Sequence, residues 1–338
     1  MRLRFACVLV LLVALSAPAL AETVRGGTVT YTVDVQAEAG AKNVRLWLPY
    51  PLSDANQDIG DMRLGGNFEQ SGVYRDPASG AVSLYAEWKE PKEKPKLTLS
   101  FHVDAHYAKM PGLVDNGGPI PAEVAPYLKQ AGLSPQEKQS FAAMAKEATK
   151  GRKGILAKTR GVYEWVIAHT YRDNDVVGCG LGQPGRTLSS CNGGGKCADI
   201  SSVFVAVARA AGIPCRDVYG LRMADPKTGA ITGDYHCWVE FYLPGTGWVP
   251  VDPADVRKMM LVNKLELKNA KQWVEFFWGG DDLFRIALER GTTDVTLAPK
   301  QAGPPLTYYM YPFAQVDGRT LDFFSPKTFA YTVDFKAD

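Results

Sequence analysis

A glycine-rich loop that runs directly into an apolar helix constrains the fold of this chain more than any other stretch. Residues 193–214 begin Gly-Gly-Gly-Lys-Cys and continue through Val-Phe-Val-Ala-Val-Ala, which leaves no polar face. A helix that is apolar all round belongs in a protein interior. Gly212 and Pro214 mark its end, because glycine favours the left-handed C-cap and proline cannot continue a helix. The stretch therefore predicts a central buried helix with Cys197 at its N-terminus.

The position of Cys197 favours a reactive thiol. The N-terminus of a helix offers free backbone N–H groups and the positive end of the helix dipole. Both stabilise the thiolate, which is the nucleophilic form of cysteine. The alternative is a small core residue, because buried free cysteines usually serve that purpose. The choice depends on whether the chain also supplies a base and a group that orients it.

The N-terminus and the composition indicate an exported protein. The 338 residues are 46% hydrophobic and 22% charged, which suits about two globular domains. Arg2 and Arg4 precede an apolar run over residues 8–15. An A-x-A cleavage pattern ends at Ala21, so residues 1–21 are predicted to be a signal peptide. No later apolar stretch approaches the roughly 20 residues of a membrane span, and we expect a periplasmic or secreted protein without membrane association after cleavage.

The charge balance argues against two classes of partner. The chain has 38 basic and 36 acidic residues, and cleavage would remove two arginines and no acids, which leaves 36 of each. Nucleic acids and anionic membranes are bound by proteins with a clear excess of basic residues. Neither is therefore an expected partner.

The cysteine count points to one unpaired thiol. Cleavage would leave five cysteines, namely Cys179, Cys191, Cys197, Cys215 and Cys237. An odd number in an oxidising compartment leaves one thiol without a partner. With Cys197 as that thiol, the other four allow three sets of pairings, of which we favour Cys179 with Cys191 and Cys215 with Cys237. The chain has no C-x-x-C motif, so a thiol–disulfide exchange enzyme is poorly supported.

Hydrophobic periodicity divides the mature chain into four segments. Residues 22–110 alternate with a period of two, which predicts an antiparallel β-sandwich module. Residues 111–153 form a linker and helices, with a helix start at the Ser-Pro-Gln-Glu sequence of 134–137. Residues 154–265 combine helices and strands, which predicts an α+β core with the central helix packed on an antiparallel sheet. Residues 266–338 form a β-rich extension, whose last strand resembles the first and is expected to share its sheet.

Two strands after the central helix supply the groups that a cysteine nucleophile needs. His236 lies at the start of an apolar strand over residues 235–242, and Asp252 follows the next strand at 247–251. The short turn between these strands predicts a hairpin that places the two side chains side by side. We therefore predict that Asp252 orients His236, whose other ring nitrogen faces Cys197.

Two other kinds of site fit the sequence less well. A zinc site would combine Cys191 and Cys197 with the adjacent strand residues His236 and Cys237. Because side chains alternate along a strand, His236 and Cys237 are expected to face opposite sides. A phosphate-binding loop would need Ser or Thr where Cys197 stands. We therefore predict no metal site and no cofactor.

These motifs together resemble those of the transglutaminase-like superfamily. The matching sequences are Gly-Lys-Cys-Ala-Asp at 195–199, Gly-Ile-Pro at 212–214, His-Cys-Trp-Val-Glu at 236–240 and Gly-Trp-Val-Pro-Val-Asp-Pro at 247–253. The resemblance covers residues 154–257 and implies a papain-like core. The flanking segments resemble those of exported bacterial members with an N-terminal β module.

The resemblance also implies a chemistry. Cys197 would be the nucleophile, His236 the general base and acid, and Asp252 the orienting carboxylate. The expected function is that of an exported acyltransferase or amide hydrolase that acts on protein or peptide substrates, such as a transglutaminase, a peptidase or an amidase. The alternative is a non-catalytic exported binding module that keeps the fold as a scaffold.

Overall fold

The structure is a computed structural model, and it describes residues 24–106, 109–223, 228–280, 285–291 and 294–338. The predicted signal peptide lies outside the described residues. No helix in the described part of the chain is long and apolar enough to cross a membrane.

The described residues form sixteen strands and six α-helices. The strands are β1 Val24–Val35, β2 Asn43–Pro49, β3 Gln57–Gly66, β4 Gln70–Arg75, β5 Val82–Lys89, β6 Lys96–His106, β7 Tyr171–Arg172, β8 Gly194–Gly195, β9 Cys215–Arg222, β10 Gly229–Ala230, β11 Tyr235–Leu243, β12 Gly247–Val251, β13 Arg285–Gly291, β14 Phe313–Val316, β15 Arg319–Thr320 and β16 Phe329–Ala337. The α-helices are α1 Pro135–Ala148, α2 Gly154–His169, α3 Pro184–Ser189, α4 Cys197–Ala210, α5 Pro253–Val262 and α6 Lys271–Phe276.

Strands from both ends of the chain, together with the short β10, build two five-stranded antiparallel sheets. Their strand orders are β10-β16-β1-β6-β3 and β15-β14-β2-β5-β4. Strand β16 pairs with β1, with Tyr31 opposite Val333, and β14 pairs with β2. The two similar sequences near the termini are therefore neighbouring strands, as the sequence predicts.

Alternation along the strands gives these sheets their core. In β1 the side chains of Val29, Tyr31, Val33 and Val35 are fully buried, and the residues between them are less so. They belong to the same hydrophobic cluster as Leu46 of β2. The period of two seen in the sequence thus corresponds to one buried face per sheet.

Helix α4 lies at the centre of the second half of the structure. Its residues from Cys197 to Arg209 are all buried, as its apolar sequence predicts. It packs on a four-stranded antiparallel sheet of order β12-β11-β9-β13 and against helices α1, α2, α3 and α5. Strand β13 comes from the C-terminal segment, so that segment completes the core sheet as well as the sandwich. The architecture is α+β, with a helix-on-sheet core beside a β-sandwich.

Candidate active site

The glycine loop before α4 places Cys197 at the helix N-terminus. Strand β8 pairs in parallel with β7, and this pairing fixes the two residues before Lys196. Gly193 has a φ of +84°, and a Cβ there would overlap the carbonyl oxygen of His169. Glycine is therefore required at this position, because other residues rarely adopt this backbone conformation. The tight loop holds the Cys197 side chain at the start of a buried helix.

Asp199 ties a second loop to this helix. Its carboxylate accepts hydrogen bonds from the backbone N–H groups of Leu181 and Gly182, at 2.9 and 3.1 Å, and of Lys196 at 3.1 Å. The first two bonds hold the loop that carries Cys179 against α4. No sequence pattern indicated this bridging role.

The hairpin of β11 and β12 brings His236 and Asp252 together. The strands pair antiparallel with Val239 opposite Val251, so the start of β11 lies beside the residue that follows β12. His236 Nε2 lies 2.7 Å from Asp252 Oδ2, and both side chains are buried. Because Nε2 is bonded to the carboxylate, Nδ1 is the ring nitrogen available to Cys197.

Asp252 is also the N-cap of α5. Its Oδ1 accepts a hydrogen bond of 2.8 Å from the backbone N–H of Asp255, while its Oδ2 accepts from His236. A side-chain cap of this kind stabilises a helix start by about 1 kcal/mol. The helix therefore fixes the orientation of the carboxylate that holds the imidazole.

Three further charged residues surround this pair, and the sequence analysis did not identify them. Arg285 of β13 donates to Asp252 Oδ2 at 2.8 Å and to Asp255 Oδ2 at 3.1 Å. Arg222 of β9 donates to both carboxylate oxygens of Asp255, at 2.6 and 2.5 Å. The result is a buried network of two carboxylates and two guanidinium groups next to His236.

The network raises the pKa of His236. Burial and the charge of Arg222 favour the neutral ring, but the carboxylates of Asp255 and Asp252 outweigh them. The pKa of the ring is therefore above its usual value, and the imidazolium form is stabilised.

Two neighbouring thiols and the imidazole favour the thiolate of Cys197. Hydrogen bonding from Cys179 and Cys237, followed by hydrogen bonding and charge from His236, holds the pKa of Cys197 well below its ordinary value despite burial. A thiolate next to an imidazolium is the reactive arrangement of a cysteine nucleophile.

The three thiols form a compact cluster. The sulfur atoms of Cys179, Cys197 and Cys237 all lie within 4.8 Å of one another, and all three residues are buried. Cys237 reaches the Cys197 sulfur, while its neighbour on β11, His236, is bonded to Asp252.

The two disulfides that the sequence favoured are absent from the structure, in which all five of these cysteines are free. Cys215 lies opposite Phe241 and Cys237 lies opposite Tyr219, so the two cysteines are four positions apart along the β9–β11 ladder. That spacing is about 13 Å, whereas a disulfide needs Cα atoms within about 7 Å. The sulfur of Cys179 belongs to the cluster with Cys197 and Cys237, whereas Cys191 does not.

A cleft of about 670 Å³ opens at Cys197 and His236. The sandwich contributes part of its wall, including Phe329 and Tyr331 of β16. Arg172 also lines it. The cleft therefore lies between the core and the sandwich, and residues from both reach it.

Comparison with known proteins agrees with this architecture. Residues 142–253 match the family model of the transglutaminase-like superfamily. An uncharacterized protein from Haemophilus influenzae is 30% identical over 336 residues, which cover 89% of this chain and 89% of that protein. The uncharacterized protein YebA from Bacillus subtilis is 40% identical over 68 residues, which cover 18% of this chain and 9% of YebA.

A solved structure extends the comparison beyond the core. A protein from Cytophaga hutchinsonii, described as a "putative cysteine protease", superposes with a TM-score of 0.55 at 13% identity, covering 93% of this chain and 99% of that one. At this identity the similarity concerns the fold, and it includes the sandwich as well as the core. Together with the match over residues 142–253, these similarities establish that the chain belongs to the transglutaminase-like superfamily.

Proposed function

We propose that this protein is an exported thiol enzyme that acts by acyl transfer on amide bonds of protein or peptide substrates. One observation carries the proposal: a 2.7 Å hydrogen bond joins His236 to Asp252 beside a cysteine at a helix N-terminus. Nucleophile, base and orienting carboxylate are the three parts that thiol acyl chemistry requires.

The reaction would begin with attack of the Cys197 thiolate on the substrate carbonyl carbon. The C–N bond of the tetrahedral intermediate then breaks as the His236 imidazolium gives its proton to the departing amine, which leaves a thioester on Cys197. Water or a second amine attacks the thioester while His236 takes a proton from it. Release of the acid or of the new amide restores the thiolate and the imidazolium.

The backbone supports this sequence of steps. Among the described residues, the N–H of Cys197 has no hydrogen-bond acceptor, so it is free to donate to the oxyanion of the intermediate. One such donor contributes roughly 3 kcal/mol to transition-state stabilisation. Arg285 helps to orient Asp252, because its guanidinium donates to the carboxylate at 2.8 Å.

The test is acylation of the protein itself. The metal-free protein is mixed with p-nitrophenyl acetate and with a panel of peptide amides, with and without an added primary amine, and intact mass is measured. We expect one acyl adduct on Cys197 and faster turnover with a preferred peptide. Cys197→Ala should form no adduct at that position, whereas Cys215→Ala should behave like the unsubstituted protein, because Cys215 lies outside the thiol cluster.

The alternative of a non-catalytic scaffold makes the opposite prediction. A folded protein in which Cys197 is acylated no faster than free cysteine would overturn the proposed activity. Product analysis with and without the amine then separates hydrolysis from transamidation, because only transfer incorporates the amine.

A further inference from the structure

The cluster of three thiols exceeds what a single nucleophile needs. Cys197 begins α4, Cys179 lies in the loop that Asp199 holds, and Cys237 is the third residue of β11. Their sulfur atoms lie within 4.8 Å of one another, and the exposed fractions of Cys197, Cys179 and Cys237 are 3%, 4% and 0%. Three separate segments of the chain thus bring three sulfur atoms to one point.

The other contacts of the two additional thiols are weak. Cys179 Sγ lies 3.4 Å from the carbonyl oxygen of Tyr235, and Cys237 Sγ lies 3.9 Å from Met310 Sδ. A thiol is a poor donor, so neither contact ties up a sulfur atom. Both sulfurs are therefore available as ligands.

A histidine lies near the cluster. His236 lines the same cleft as Cys197, and its Nε2 is bonded to Asp252. A histidine that binds zinc almost always donates a hydrogen bond from its other ring N–H to a carboxylate or carbonyl, which fixes the ring and its tautomer. The hydrogen bond to Asp252 therefore prepares the other nitrogen, Nδ1, to bind a metal.

The spacing suits a thiophilic cation. Zinc binds sulfur at about 2.3 Å in tetrahedral sites, which places two sulfur ligands about 3.8 Å apart. The distances between the three sulfur atoms are at most 4.8 Å, so each would need to shorten by at most about 1 Å. Small side-chain rotations can provide this change. Soft thiolate ligands select zinc or cuprous copper over magnesium or calcium.

We propose that this cluster is a three-sulfur site for a thiophilic d¹⁰ cation of the zinc class. Its ligands are the sulfur atoms of Cys179, Cys197 and Cys237, and Nδ1 of His236, which lies outside this group, would turn toward the ion as the fourth ligand. The ion replaces the protons that the thiols carry, and these pass to the solvent. A sulfur lone pair shared with the ion no longer attacks a carbonyl, so the metal-bound state and the reactive state of Cys197 exclude each other.

The experiment is a metal titration of the folded full-length protein under anaerobic conditions. Zn²⁺ is titrated against a chromophoric chelator, and Co²⁺ is used as a spectroscopic probe. We expect one equivalent to bind, with intense sulfur-to-cobalt absorption in the near ultraviolet and the visible bands of a tetrahedral site. Cys179→Ala and Cys237→Ala should each weaken Zn²⁺ binding at least about 100-fold, because each removes a ligand.

Cys215→Ala is the matched control, because it removes another buried thiol outside the cluster. It should bind Zn²⁺ like the unsubstituted protein. Unchanged affinity in Cys179→Ala, or a cobalt spectrum typical of a single thiolate, would overturn the inference. The spectrum of the unsubstituted protein decides the question even where a variant fails to fold. Because binding is measured without substrate, its result is independent of the acyl-transfer proposal.

Discussion

The β-sandwich and the helix-on-sheet core differ in where they keep their charges. In the sandwich, ion pairs lie at the surface, as between Lys42 and Glu90, whose side chains are 76% and 61% exposed. In the core, the carboxylates of Asp252 and Asp255 lie with the Arg285 guanidinium, and each of these side chains is at most 3% exposed. One region has an apolar interior and the other buries an ionic network.

The difference indicates what each region contributes. Burying apolar surface stabilises a fold by about 25 cal/mol per Å², whereas a buried ion pair often costs as much as it returns. The core network therefore adds little net stability, and we infer that its value lies in fixing His236 and Asp252. The sandwich gains stability from its interior and closes one side of the cleft.

Replacing Arg285 should have the largest effect on stability. Arg285→Met leaves Asp252 and Asp255 buried with one of their two guanidinium partners removed, which should lower the free energy of unfolding by about 3–5 kcal/mol. Urea unfolding measures this loss. Arg285→Lys should recover part of it, because the charge remains while the bidentate geometry is lost. A loss below about 1 kcal/mol would show that the network is not held by charge.

A substitution in the sandwich separates stability from reactivity. Leu46 is fully buried. Leu46→Ala should lower the free energy of unfolding by about 3 kcal/mol, because it removes buried apolar surface and leaves a cavity. At a temperature where the variant is folded, alkylation of Cys197 should be unchanged. A large change in Cys197 reactivity would show that the sandwich interior and the site are coupled.

Removal of the bridging carboxylate of Asp199 should lower the free energy of unfolding by an intermediate amount. Asp199→Ala removes the acceptor for three backbone N–H groups, so we expect a loss of about 2 kcal/mol. The loop that carries Cys179 should also exchange its amide hydrogens faster. Hydrogen exchange of residues 179–182 measures this directly, and unchanged protection would mean that other contacts hold the loop.

Removal of a surface ion pair should leave the free energy of unfolding almost unchanged. Lys42→Met should change stability by less than about 0.5 kcal/mol, because both partners are exposed and screened. The same urea experiment provides the measurement. A loss comparable to that of Arg285→Met would contradict the contrast between the two regions.

Local patterns predicted much of this structure. The apolar run from Cys197 specified a buried helix, and alternation specified strands such as β1 and β11. The pairing of His236 with Asp252 was predictable because a short turn joins the two strands that carry them, and residues close in sequence determine such a hairpin. The α+β fold and the superfamily were predictable for the same reason.

Residues from distant segments could not be predicted. Arg285 reaches Asp252 from 33 positions away, and no periodicity in β13 marks it as a site residue. Cys179 joins Cys197 because a loop folds back onto α4, and the sequence offered only its spacing from other cysteines. The predicted disulfide pairings were wrong because they were inferred from the number of cysteines in an oxidising compartment. That count carries no information about the register of β9 and β11.

The central claim is that His236 and its surroundings keep Cys197 as a thiolate, and the pH dependence of alkylation tests it most directly. Iodoacetamide reacts with the thiolate, so peptide mapping of metal-free protein gives the thiolate fraction of Cys197 at each pH. We expect the alkylation rate of Cys197 to remain nearly constant from pH 8 down to pH 6. Over the same range the alkylation rate of free cysteine, which has a pKa of about 8.5, falls roughly tenfold per pH unit. In His236→Gln the midpoint should move to higher pH, because burial then opposes the charge without an imidazolium to offset it. A Cys197 rate that falls like that of free cysteine, and that is the same in His236→Gln, would contradict the claim.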